Sequence, residues 1–266
     1  MKTDFLTLDE MEAFDRDGYI VVSDLLDAEE TELLGTIARR DHALAAARTS
    51  RADGEGGSVD LVVENDLPSD SIYSAIVQAE PLVTAMETLL GDEVYHYHHK
   101  MILKEPRIGG AWTWHQDYGY WYNNGCLLPE MASCMFAVDK ATKENGCLQV
   151  LRGSHQMGRI DHIKRGDQTG ADMERVNAAM QRMELVHVEL TPGSAVLFHG
   201  NTLHRSDQNL SEHPRWAFIC CYNTRRNDPY KSGRHPQYSP LLRLSANEIS
   251  RIGHQHLRRI SQMSNS

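Results

Sequence analysis

The chain has 266 residues, long enough to bury a full core, and with 27 Lys and Arg against 37 Asp and Glu it carries a formal net charge of −10. No block of basic residues interrupts that balance, which argues against a nucleic-acid or anionic-membrane partner and leaves small molecules as the expected ligands, with oligomeric state open. Five cysteines, Cys126, Cys134, Cys147, Cys220 and Cys221, are odd in number and lack Cys-x-x-Cys spacing, so they read as the reduced thiols of a cytoplasmic protein. The opening Met1-Lys2-Thr3-Asp4 shows no basic region followed by an apolar run, and no stretch approaches the roughly eighteen apolar residues of a membrane span.

Thr7-Leu8-Asp9-Glu10 is a capping-box pattern, which predicts a helix that stops at Gly18, and Tyr19 to Val22 follows as a short strand. Asp27 is placed to cap a second helix, apolar at Leu33, Leu34, Ile37 and Leu44, running to about Ala47. Residues 51–58 are rich in Gly and charge and read as a surface loop, either a plain linker or a lid. Ser69 caps a predicted helix through Ile76, and Pro81 suits the first turn of another that ends before Gly91.

From Val94 the period changes to two, which predicts a strand with Tyr95, Tyr97 and His99 on one face and His96, His98 and Lys100 on the other. Ile108-Gly109-Gly110 breaks it ahead of Trp112 and Trp114. Met131 to Val138 reads as a central strand, Asn145-Gly146 as a hairpin turn and Leu148 to Leu151 as the return strand, with His155 a turn residue. Residues 156–183 form a polar insertion with a helix beginning near Ala171. Strands at 185–188 and 195–199 are expected in one sheet and 215–223 in the other, before a helix from Ala246 to Gln262 capped by Ser245. Many short strands flanked by helices suggest two facing sheets in a single domain: 1–92 mainly helical support, 93–225 the jelly-roll core and 226–266 a C-terminal extension.

The chemistry concentrates in Trp114-His115-Gln116-Asp117 and in the later His204. In an extended segment His115 and Asp117, at i and i+2, point the same way while Gln116 points away. Two imidazoles and one carboxylate make the facial set that non-haem Fe(II) oxygenases use, with the remaining coordination positions open. Beyond His204, Arg215 heads the apolar run Trp216 to Tyr222, and a guanidinium there suits a carboxylate held by two parallel bonds. The rings of Trp114, Tyr118, Tyr120, Trp121 and Tyr122 read either as core packing or as a substrate pocket.

His115-Gln116-Asp117, Glu144-Asn145-Gly146-Cys147-Leu148 with Gly153-Ser154-His155, Pro192-Gly193 through Phe198-His199 to His204-Arg205-Ser206, Gln208-Asn209 and Arg215 occur in an order that resembles the phytanoyl-CoA dioxygenase family of Fe(II)- and 2-oxoglutarate-dependent oxygenases, whose members include ectoine hydroxylases. The resemblance covers about residues 93–225. It implies a double-stranded β-helix, with Fe(II) on His115, Asp117 and His204, and with 2-oxoglutarate held by Arg215 and Ser206. His99 and Lys104, on the strand that follows Val94, are expected to make further polar contacts with 2-oxoglutarate. The resemblance also implies O2 as co-reactant, with succinate and CO2 released. Aspartate at 117, where related halogenases carry a small residue, favours hydroxylation or another oxidation over halogenation. Trp114, Tyr118, Trp121 and Arg226 are the expected substrate contacts, and a small polar metabolite the expected substrate. Two rival readings are a binding or regulatory barrel with a vestigial metal site, and a cupin-like metalloenzyme using His96 and His98 without 2-oxoglutarate.

Overall fold

The computed structural model describes residues 5–53, 57–165 and 167–263. The chain order is α1 (Leu8–Asp17), β1 (Tyr19–Val22), α2 (Ala28–Arg40), α3 (His42–Ala46), β2 (Thr49–Ala52), β3 (Ser58–Glu64), α4 (Ile72–Val77), α5 (Glu80–Leu90), β4 (Val94–Lys104), β5 (Trp112–His115) and α6 (Asp117–Trp121). It continues with β6 (Met131–Ala137), β7 (Leu148–Leu151), β8 (His162–Arg165), β9 (Gln168–Ala171), α7 (Met173–Met180), β10 (Leu185–Val188), β11 (Ala195–His199), β12 (His204–Ser206), β13 (Arg215–Thr224) and α8 (Ala246–Met263).

Two antiparallel sheets carry the fold, one of seven strands in the order β1-β11-β6-β13-β4-β3-β2 and one of four in the order β10-β7-β12-β5. They form a jelly roll, or double-stranded β-helix, with helices on the outer face of the larger sheet. Alternation along the central strands sorts side chains between two cores. Cys134 and Phe136 of β6 and Trp216, Phe218, Cys220 and Tyr222 of β13 face the helices. Met135, Ala217, Ile219 and Cys221 face the smaller sheet. Because both faces of β13 are covered, all ten of its residues are buried, which explains its nearly continuous apolar run. No described helix is long and apolar enough to cross a membrane.

The local signals at the N-terminus hold. Thr7 and Glu10 form the capping box of α1, and Gly18 ends it in the left-handed region. Pro81 sits in the first turn of α5, which Gly91 terminates. Other expectations need correction. The helix expected to run from Asp27 to Ala47 breaks at Asp41, because that carboxylate turns to accept the backbone N–H groups of Ala43 and Leu44 and so caps a new helix. The cap of α4 is Ser71 rather than Ser69.

The expected loop at 51–58 is the end of a hairpin: Ala52 pairs with Ser58, and Gly54-Glu55-Gly56 lie outside the described residues, as do Met1 to Asp4. This hairpin and β1 join the larger sheet, so the N-terminal region contributes strands as well as helical support. Asn145-Gly146 makes a turn but not a hairpin, since β6 and β7 belong to different sheets and the turn carries the chain between them. β11 and β13 flank β6 in one sheet, while β10 lies in the other, the reverse of the expected grouping for 195–199 and 215–223. The insertion at 156–183 contains the hairpin β8–β9 as well as the expected helix.

Gly146 adopts φ 75°, and a Cβ there would collide with the Asp207 carbonyl oxygen. Gly146→Ala is therefore expected to destabilise the fold by about 1–3 kcal/mol. An unchanged denaturant midpoint would show that the crossover tolerates a side chain.

Candidate metal centre and anion clamp

The site begins with the pairing of two short strands. β12 lies between β7 and β5, and His204 is the direct cross-strand partner of His115, so their rings face each other at 4.0 Å between centroids. β5 ends at His115, Gln116 stays extended (φ −113°, ψ 133°), and Asp117 opens α6. The i and i+2 side chains therefore share a face although only the first lies in a strand, and His115 Nε2 is 3.9 Å from Asp117 Oδ1. Ligand atoms of His115, Asp117 and His204 all lie within 4.8 Å of one another, and among the described residues this is the only group of three His, Cys, Asp or Glu side chains so arranged.

Each ligand is oriented by a contact behind it. His115 Nδ1 is 2.8 Å from the Thr113 carbonyl oxygen and His204 Nδ1 is 2.9 Å from that of Thr202. A carbonyl only accepts, so both Nδ1 atoms carry the proton and both Nε2 atoms present a bare lone pair. Burial pushes both imidazoles below the ordinary histidine range, with the neighbouring His204 adding to the effect on His115, so both are neutral. Burial alone would raise the Asp117 carboxyl, but the Lys100 ammonium 3.9 Å away and the Ser133 hydroxyl hold it below its usual value. Ser133 Oγ donates to Asp117 Oδ2 at 2.7 Å, leaving Oδ1 to face the histidines.

Gln116, which the sequence reading leaves pointing away, is fully buried and clamps the segment. Its side chain donates to the carbonyls of Gly158 and Asn201 and accepts from Ile160 N–H, while its own N–H donates to His162 Nε2 at 2.9 Å. The only sequence signal for this role is its place between two ligands.

The second half of the site is cationic. Arg215 opens β13 directly opposite Lys104 at the end of β4, and both side chains line the same cavity between the sheets as Ser206, His115 and His204. Lys104 Nζ donates to Ser206 Oγ at 2.8 Å and to the Asp207 carbonyl. Arg215 Nη2 donates to the Gly146 carbonyl at 2.5 Å, and its buried Nε has no partner among the described residues. Neither cation has a carboxylate within ion-pair distance among the described residues. Burial drags Arg215 down to about 10, and burial plus the Arg215 charge push Lys104 well below its normal value. Two desolvated cations beside an orphaned N–H donor fit the distal carboxylate of a dicarboxylate, and the three-ligand face fits a divalent iron with open positions.

Other expected site residues go elsewhere. A register shift between Cys221 and Tyr222 leaves Tyr97 as an extra residue on β4, so the strict alternation expected from Tyr95 to Lys100 does not hold. Lys100, Ile102 and Lys104 line the cavity, but His99 turns to the helical side, where Nδ1 meets His96 Nε2 at 3.0 Å and the ring packs edge-on against Phe218. His98 instead packs beside Trp121 and His235, so His96 and His98 do not converge as the cupin-like reading requires. Trp114 faces away from the cavity into a cluster with Leu151, Ile160 and Leu203. Tyr118 and Trp121 sit in the inner core, Tyr118 donating to the Cys126 carbonyl and Trp121 packing on Tyr97. Arg226 is held at the surface by Glu130 at 2.6 Å and by the carbonyls of Leu90 and Gly91. These positions follow from strand parity and from ion pairs that local sequence does not display.

Removing the group that fixes a ligating carboxylate weakens a metal site by about 10–100-fold. Ser133→Ala is expected to weaken anaerobic Fe(II) or Co(II) binding by that factor while leaving the circular dichroism spectrum unchanged. Wild-type affinity in the variant would remove Ser133 from the centre.

Comparison with known proteins agrees with this geometry. The phytanoyl-CoA dioxygenase (PhyH) family profile matches residues 14–217. An ectoine dioxygenase of Sphingopyxis alaskensis is 30% identical over 232 residues, covering 81% of this chain and 75% of that protein. An L-proline trans-4-hydroxylase of Streptomyces griseoviridis is 28% identical over 204 residues, covering 71% of this chain and 75% of that protein. The fold is shared with a crystal structure of EctD from S. alaskensis with 2-oxoglutarate and 5-hydroxyectoine, at a TM-score of 0.75 and 24% identity, over 92% of this chain and 89% of that one. The chain thus belongs to the phytanoyl-CoA dioxygenase family and is a 2-oxoglutarate-dependent non-haem iron dioxygenase.

Proposed function

We propose that the protein hydroxylates an unactivated C–H bond of a small polar metabolite, with His115, Asp117 and His204 holding Fe(II), and Arg215, Ser206 and Lys104 receiving the distal carboxylate of 2-oxoglutarate. The observation that carries this reading is one cavity lined at one place by two neutral histidines that converge with the ionised Asp117, and at another by two buried cations with no carboxylate partner among the described residues. Iron and 2-oxoglutarate, when bound, supply the oxidation: one O2 is consumed, the cosubstrate leaves as succinate and CO2, and the substrate R–H becomes R–OH.

The chain's own residues bind, orient and exclude water. Nδ1–H contacts to Thr113 and Thr202 keep both imidazoles in the ligating tautomer, and Ser133 keeps Asp117 one-handed toward the metal position. The guanidinium plane of Arg215 donates to two carboxylate oxygens in a fixed orientation, which aims the other end of the cosubstrate. Val59, Leu61, Met135, Phe198 and Ile219 line the cavity and keep it dry, so each charge contact there is stronger than in water. The names of the two curated relatives, one an ectoine dioxygenase and the other an L-proline trans-4-hydroxylase, support a compact polar substrate. The five unpaired buried cysteines support a reducing, cytoplasmic compartment.

The test is anaerobic titration of the Fe(II)-loaded protein with 2-oxoglutarate, read by the weak visible charge-transfer band of an iron-chelated keto acid. Arg215→Ala is expected to shift the half-saturation point upward by about 10- to 100-fold, and Asp117→Ala to abolish substrate-coupled succinate release. Full activity of Asp117→Ala, or an unshifted band in Arg215→Ala, would refute the corresponding role. Across a panel of free amino and imino acids, cyclic zwitterions and acyl-CoA thioesters, substrate-stimulated succinate release is expected only among the small polar compounds. Stimulation by acyl-CoA alone would reverse that substrate class.

A further inference from the structure

The run of histidines in β4 contributes to a second, separate cavity. His99 faces away from the iron site and lines a cavity of about 430 Å³ between the outer face of the larger sheet and α3, α4 and α8. That volume lies in the range of small-molecule sites, roughly 300–1,000 Å³. Nothing in the dioxygenase reading uses it.

Its base is polar and buried. Asp41 Oδ1 is committed to the backbone of α3, while Oδ2 is approached by the Tyr73 hydroxyl at 3.4 Å and by His256 Nε2 at 3.6 Å. His256 Nδ1 accepts from Ile72 N–H at 3.3 Å, so its proton is on Nε2, toward Asp41. Two further side chains at the cavity wall are more than nine-tenths buried yet unsatisfied among the described residues. Ser71 makes no side-chain cap bond with α4, and His99 uses only Nδ1, on His96, leaving Nε2 without a partner. Both residues line the cavity, so these two polar atoms are free to meet an occupant.

The charge of the wall gives the ligand's sign. Of the four carboxylates lining the cavity, Asp41 is engaged at the base and Asp70 pairs with Arg259. Glu64 and Asp66 have no ion pair among the described residues and face the same space as the Tyr73 ring, with Leu44 and Pro68 as apolar walls. We propose that this cavity is a second ligand site, for a small organic amine whose ammonium group sits between Glu64, Asp66 and the face of Tyr73 and whose apolar body packs on Leu44 and Pro68. Ser71 Oγ and His99 Nε2 supply the remaining hydrogen-bonding positions at its base. Because His99 lies between His98 and Lys100 on one strand, the occupant sits back to back with the iron site across β4.

The probe is phenethylammonium, with neutral 2-phenylethanol as its control, titrated into the full-length protein by calorimetry and by saturation-transfer NMR. One-to-one binding of the ammonium is expected at millimolar or lower concentration, with binding at least about tenfold weaker for the alcohol and for the Glu64→Gln/Asp66→Asn double variant. Both substituted side chains are exposed, so the variant keeps the fold. Arg215→Ala is expected to bind the probe as the wild type does, which separates this site from the 2-oxoglutarate clamp. Undetectable binding, equal affinity in the double variant, or loss of binding in Arg215→Ala would each overturn the proposal.

Discussion

The site depends on the register of β5 against β12. With His115 opposite His204, two imidazoles belonging to segments almost ninety residues apart are brought within ligating distance by backbone hydrogen bonds alone. A slip of one residue would turn His204 to the opposite face and put Arg205 in its place. That register is held on both sides of β12: by β7, where His204 pairs with Val150 and Ser206 with Leu148, and by Gln116, whose three side-chain hydrogen bonds tie the end of β5 to Gly158 and Ile160 at the start of the insertion and to Asn201 just ahead of β12. Asp117 then needs only the turn into α6 and the Ser133 hydroxyl to complete the face.

A second constraint works against stability. Lys104 and Arg215 are cross-strand neighbours, buried, of like charge and without a carboxylate partner among the described residues. Like charges directly opposite each other on a sheet are unfavourable, and removing a cation from water costs several kcal/mol even after relaxation. Both nevertheless remain hydrogen-bonded to carbonyls and to Ser206, which points their remaining donors into the cavity. Under the proposed function a bound dicarboxylate would supply the missing anion and offset that cost, so cosubstrate selectivity and the cost of the empty clamp would have one origin. The enclosing apolar residues raise both effects, since the low dielectric that penalises unpaired cations also strengthens the pair once formed.

The helical layer contributes more than support. Tyr73, Phe218 and His256 form an aromatic cluster beneath the outer core, with Asp41 among them as a cap and a hydrogen-bond acceptor. The same carboxylate that breaks one helix into two also organises the cavity behind β4. A single polar residue in an otherwise apolar stripe thereby changes both local secondary structure and the surface available to ligands.

The shared face of His115 and Asp117 and the helix ends were legible from sequence because both rest on short-range rules. His115 and Asp117 share a face through the alternation of extended backbone, and Thr7, Asp27, Pro81 and the glycines at 18 and 91 act within one turn of their own helices. Arg215 stood out as a charge heading an apolar strand, and its proximity to Ser206 followed from the family resemblance. What tertiary structure alone decided was parity and pairing. The extra residue at Tyr97 sends His99 to the helical side while Lys100 and Lys104 stay inside, and the crossover at Asn145-Gly146 delivers β7 to the opposite sheet. Trp114 and Arg226 were drawn away from the cavity by an apolar cluster and by Glu130. Sequence thus determined which chemical groups this protein has and which near neighbours can act together. Only long-range strand pairing decided which side of a sheet each one faces, because a one-residue change in register reverses every side chain at no cost visible in local propensity.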